Sequence, residues 1–212
     1  MLASNNAVIN SAGRKQMRKA LTEIFRHVYG FFRYLGILGV LFFWLLVLIS
    51  VSLNPWFMFT HDAFSDLGGP RANAPYVYNY GLITLGAMLY LFSMWIATKT
   101  RSKLELIGAS WLMIASLFLS LIGVYPSGTR PHTFVSSWFF VQTWLSMAPF
   151  LLQSFLSRNK NDAVVFSSLF ILSPIIAFIV ELTAGWPSVA VLEAYGVVVI
   201  DIYVIYLYHK YK

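Results

Sequence analysis

The sequence predicts an all-α fold, a polytopic membrane bundle of six transmembrane helices. Three observations predict it. The 212 residues are 58% hydrophobic and only 11% charged, with a mean hydropathy of +0.69, far more apolar than a soluble domain of this length. Six apolar runs are each long enough to cross ~30 Å of hydrocarbon, which takes about 20 helical residues. So many such runs leave too little polar surface to solvate a globule, and backbone groups in lipid must pair within helices.

The runs lie near residues 34–53, 79–97, 104–124, 134–156, 163–184 and 188–208. The last two are divided only by Gly185, Trp186 and Pro187, where proline breaks the helix and glycine permits a tight turn. Residues 1–33 form an N-terminal segment ahead of a 34–208 transmembrane domain. Within it, Met17, Leu21, Ile24, Phe25, Val28, Phe31 and Phe32 share one helical face. Lys15, Arg18, Lys19, Arg26 and Arg33 lie opposite. That pattern reads as a basic amphipathic helix at the membrane interface. The first apolar run lacks a cleavage pattern after it and reads as a retained anchor.

All of the lysines and arginines except Arg71 and Arg130 fall in the N-terminal segment, the second and fourth loops or the C-terminal tail. The positive-inside rule then puts both termini in the cytoplasm of a cell membrane and the first, third and fifth loops outside. The net charge of +7 is explained by topology, and nucleic acid is not an expected partner. Membrane lipids are. The chain has no cysteine, which excludes disulfides and thiolate metal ligands.

The unusual polar residues gather at the expected outer face. Loop one, residues 54–78, is long for a structureless link and carries His61, Asp62, Ser65, Asp66 and Arg71. Loop three carries Tyr125, Arg130 and His132, while Glu181 and Glu193 flank the fifth loop. Thr60 is placed to cap a short helix that Gly68–Gly69 would end, with Asp62 and Asp66 four residues apart. Asp66, His132, His61 and Asp62 are nitrogen and oxygen donors of the kind that hold a divalent metal such as Zn²⁺, if loops one and three converge. A Ser-His-Asp set of Ser65 or Ser136, His132 and Asp66 is a further possibility. So is the plain structural one, in which Ser65 and Asp66 bond loop backbone. Ser136, Thr143 and Ser146 run near one face of the fourth helix as helix–helix glue. Asp201, inside the sixth run, is a functional candidate by its position; it either serves a polar path or bonds that fourth-helix stripe.

Asn54-Pro55, Ser65-Asp66-Leu67-Gly68, Asn79-Tyr80-Gly81-Leu82, Gly123-Val124-Tyr125-Pro126 and His132 occur in an order that resembles the Domain of Unknown Function 998 family of six-helix prokaryotic membrane proteins. More distantly, the chain is similar to the Frag1/DRAM membrane proteins. The resemblance implies the six-helix fold and an outer-face location for Ser65, Asp66, Asn79 and His132, but no reaction. Family members often carry an acidic residue just after the loop-three proline, where this chain has Ser127. From the polar residues gathered at the outer face, one expectation is a hydrolase or transferase acting on a lipid or lipid-linked substrate. Asp66, His132 and Ser65 would be catalytic, and Asn79, Arg71, Arg130 and Asp201 would bind substrate. The alternatives are a non-catalytic membrane scaffold or lipid-binding protein and, through Asp201, a transporter or channel.

Overall fold

A computed structural model describes the backbone of residues 2–212. Within the first helix it describes the side chains of Gln16, Met17, Lys19 and Glu23 and of every residue from Tyr29 onward. The chain is helical throughout, with α1 (Leu2–Leu53), α2 (Pro75–Lys99), α3 (Lys103–Val124), α4 (His132–Leu156), α5 (Lys160–Ser167), α6 (Ser173–Thr183) and α7 (Val189–Tyr211). A 3-10 turn at Phe64–Gly68 and a π turn at Ser168–Leu172 complete it. Among the described residues six segments are long and apolar enough to cross a membrane: Tyr29–Leu53, Pro75–Lys99, Lys103–Val124, His132–Leu156, Lys160–Thr183 and Val189–Tyr211. The bundle expected from the six apolar runs is the one observed. At residue 33 the helix continues without a break. Most of the side chains of the proposed amphipathic face lie outside the described residues.

Local chemistry explains where the helices start and stop. Pro75 occupies the first turn of α2, where its missing N–H is harmless. Ser102 caps α3 by accepting from Leu104 N, and Ser188 caps α7 by accepting from Val191 N. α1 ends before Pro55, which disfavours a helical Asn54. Helices α2 and α5 begin three or four residues before their apolar runs, which sets Asn79 one turn inside α2 and brings Asp162 into the first turn of α5.

Helix α2 packs between α1 and α3, α3 packs against α4, and α7 returns beside α1. Close approach of α3 to α2 requires Gly123, where a Cβ would lie 2.3 Å from the Asn79 carbonyl oxygen. The fifth span differs: 11% of its core window is buried, against 44% for the second, third and fourth, and α6 has no buried residue. Its break has a specific cause. Pro174 has no N–H to offer the Phe170 carbonyl. That carbonyl instead accepts from Trp144 Nε1 of α4 at 2.8 Å, with the two rings stacked. Nearby, Tyr195 Oη of α7 donates to the Ser173 carbonyl at 2.7 Å. The widened turn is thus stitched to both neighbours.

Candidate functional site

Loops one, three and five meet at one end of the bundle and form a cap. Its centre is the 3-10 turn, whose Phe64 and Leu67 are 3% and 0% exposed. Phe64 sits among Phe43, Phe57 and Phe59 with ring centroids 5.8–6.2 Å apart. Burying it anchors the turn over the helices, a gain of about 1.5–3 kcal/mol for such a side chain.

Carboxylates at this end work on main-chain N–H groups. Asp62 Oδ2 accepts from Met58 N at 2.6 Å, and Asp66 Oδ2 accepts from Ala63 N at 3.0 Å. Glu193, on the first turns of α7, accepts from Phe64 N at 2.7 Å. The turn is therefore capped from Ala63 and Asp66 rather than started at Thr60, because the 3-10 geometry begins only at Phe64. Asp66 Oδ1 also accepts from Ser127 Oγ of loop three at 3.2 Å. At the position where an acid was expected on family grounds, this chain supplies the donor that Asp66 needs.

The other motif residues lock the same cap. Asn79 Nδ2 donates to the Gly68 carbonyl at 2.9 Å, and a Cβ at Gly68 would lie 2.1 Å from Asn79 Oδ1. Asn54, 1% exposed, donates to Ser50 O at 2.8 Å and accepts from Asn73 N at 2.7 Å. Asn73 Nδ2 in turn donates to Leu53 O. Loop five joins through Ser188 Oγ, which donates to Phe59 O at 2.6 Å, and through Ala190 N, which donates to Asp62 O at 3.0 Å.

Loops one and three do converge, but they do not assemble the proposed metal set of Asp66, His132, His61 and Asp62. His132 is buried and its Nδ1 faces the Tyr125 carbonyl at 2.8 Å, so the proton sits on Nδ1. His61 is exposed. Asp62 lies 3.9 Å from Arg71. Among the described residues no group of three or more His, Asp or Glu is arranged to hold a metal ion. In the Ser-His-Asp set the Ser136 alternative is engaged elsewhere: Ser136 Oγ donates to the main-chain carbonyls of His132 and Thr133. The reason is shared, since backbone groups at the loop ends claim these side chains first.

Of the residues proposed to bind substrate, Asn79 is used by Gly68. Arg71 stacks on Trp56, 4.2 Å from the ring centroid, and Arg130 is exposed. Asp201 is eight residues beyond Glu193 on α7, about 12 Å along the helix. Its partner is Trp44 of α1, whose Nε1 donates at 2.9 Å, not the fourth-helix stripe. There Ser146 meets Tyr203 Oη instead, at 3.2 Å, and Thr143 bonds its own helix.

Glu193 is the residue whose role the sequence understated. It lines two adjoining spaces. One is a small cavity of about 40 Å³ beneath the cap, shared with Ser65, Tyr78 and Ser136. The other is a cleft of about 450 Å³ between α4, α6 and α7, walled by Phe140, Trp144, Met147, Ala177 and Ile200. Among the polar side chains lining this cleft, Ser136, Ser137 and Glu193 come from the cap-side starts of α4 and α7, while Ser173 Oγ and Tyr195 Oη donate to the Leu169 and Ser173 carbonyls. A half-buried carboxylate thus stands toward one end of a largely apolar cleft.

The chain belongs to the family described as Protein of unknown function (DUF998), whose model matches residues 37–210. No curated protein and no solved structure matches it.

Proposed function

We propose that this DUF998 membrane protein is a non-catalytic lipid-binding protein, which holds a hydrocarbon chain in the cleft between α4, α6 and α7 beneath the loop cap. The single observation that carries this reading is the cleft itself. Its volume of about 450 Å³ falls in the range of small-molecule sites, about 300–1,000 Å³. It runs along α7 from Val189 to Ile200, about 16 Å of helix. Its walls are apolar within membrane-spanning segments, so hydrocarbon is the matching ligand. Glu193, Ser136 and Ser137 at the cap end suit the hydroxyl or amine of a headgroup. Asp66, Ser127, Asn79 and His132 then act as struts that keep the cap closed over that end.

One observation favours a second reading, a hydrolase or transferase acting on the same lipid. Ser65, Ser136 and Glu193 line a common cavity, which offers hydroxyls and a carboxylate to a headgroup bond. By charge distribution the cap faces away from the cytoplasm and both termini face it.

Lipid extraction from the purified protein, followed by mass spectrometry, tests the main reading. The native chain should retain a defined lipid species. Ala177→Trp, which fills the cleft from α6, should lose it while melting at the native temperature. Equal retention by the variant would sink the proposal. Turnover of the retained lipid that Glu193→Gln abolishes would establish the second reading instead. Cysteine substitution at exposed Thr129 and Ser157 tests orientation in a chain without native cysteine. Only the former should react with an impermeant reagent outside intact cells.

A further inference from the structure

The opposite end of the bundle holds a polar groove of about 860 Å³, where α1, the α2–α3 link, the α4–α5 link and the end of α7 converge. Its floor is a closed ionic network. Lys210 bonds the buried Asp162 and lies 3.3 Å from Glu105, while Tyr206 Oη donates to Asp162 Oδ1 at 2.7 Å. Lys210 therefore has its charge answered from within the protein. The rim does not. Arg33, Lys99 and Arg101 line the groove, and among the described residues no carboxylate pairs with any of them. Arg33 contacts Tyr34 through Nη2, but its Nε is buried without a hydrogen-bond partner.

Topology alone does not demand this arrangement. The positive-inside rule asks only for lysine and arginine near the helix ends. It does not ask residues 33, 99 and 101 to line one groove. What the groove lacks is an anion with several acceptor oxygens, which suits two guanidinium forks and an ammonium. We infer that this groove binds a phosphate group, carried by an anionic lipid headgroup or by a small soluble phosphorylated molecule. Arg33 and Arg101 grip its oxygens and Lys99 adds charge. Both sources present the same group, and the position of the groove at the ends of the spans admits either.

The full chain in nanodiscs provides the test. Phosphatidic acid diluted in phosphatidylcholine is the lipid ligand and inorganic phosphate the soluble one, with bound species read by native mass spectrometry. The native protein should retain phosphatidic acid over phosphatidylcholine, or take up inorganic phosphate in discs of phosphatidylcholine alone; the first outcome assigns a lipid, the second a soluble ligand. Lys99→Gln with Arg101→Gln should weaken that binding roughly tenfold, the equivalent of one charge-assisted contact. Lys103→Gln with Lys160→Gln removes the same charge from exposed residues at the same end that do not line the groove, and should change it less than about twofold. Thermal melts establish that both variants are folded. Equal weakening in the two pairs would reduce the effect to surface charge and overturn the assignment, as would the absence of binding by either ligand. Arg33→Gln gives an independent arm: unchanged affinity there would also count against the site.

Discussion

The two ends of this bundle use charge in opposite ways. At the cap, Asp62, Asp66 and Glu193 each accept a main-chain N–H, as Asn54 does without charge, while Asn73 and Asn79 donate to main-chain carbonyls. At the other end, Lys210 lies between two carboxylates and further cations line the groove unpaired. Charge at the cap fixes backbone shape; charge at the groove is held against charge. A hydrogen-bonded cap can be altered one bond at a time, whereas a buried ionic network left with one partner missing is penalised as a whole.

The largest effect should therefore come from the groove end. Asp162→Ala leaves Lys210 with Glu105 alone and should cost about 3–5 kcal/mol, measured as a loss of thermal stability in detergent. If it costs no more than a cap substitution, the contrast between the ends fails. Gly123→Leu should come next, because its side chain meets the Asn79 backbone; overpacking of this kind costs about 1–3 kcal/mol, and hydrogen exchange should rise first near Asn79. Glu193→Ala strands Phe64 N and should cost about 1–3 kcal/mol. Glu193→Gln, which still accepts, should recover most of that, and failure of the rescue would show that the cap needs charge after all. Smallest is Arg130→Gln, an exposed residue, which should move the melting midpoint by no more than about 0.5 kcal/mol implies.

Much of this was legible in the sequence. Hydropathy is a local property, so the six spans could be read directly. The motif residues Ser65-Asp66-Leu67-Gly68 and Asn79 were also visible, whereas their meeting with loop three was only a condition that the sequence could pose. What escaped were partners set by tertiary packing. Nothing near Glu193 announces a bond to Phe64, 129 positions away. Asp162 preceded the fifth apolar run and resembled loop polarity, yet α5 starts earlier and carries it inward to Lys210 and Tyr206. The four proposed metal donors are not grouped because residue type says which atoms can ligate, not which are already engaged; His132 Nδ1 faces Tyr125 O, and Asp66 accepts from Ala63 N and Ser127. The break in the fifth span did have a local signal in Pro174, but not its answer in Trp144.

That break bears on how α6 is oriented at all. A helix is ordinarily fixed in rotation about its own axis by the side chains it buries, and α6 buries none. The Phe170 and Ser173 carbonyls, held from α4 by Trp144 and from α7 by Tyr195, supply two lateral attachments near one end, and beyond the other end Trp186 packs on the Tyr195 ring. Its azimuth is thus set at a pivot, and removing either aromatic donor would free the wall of the cleft to swing while every span stayed in place.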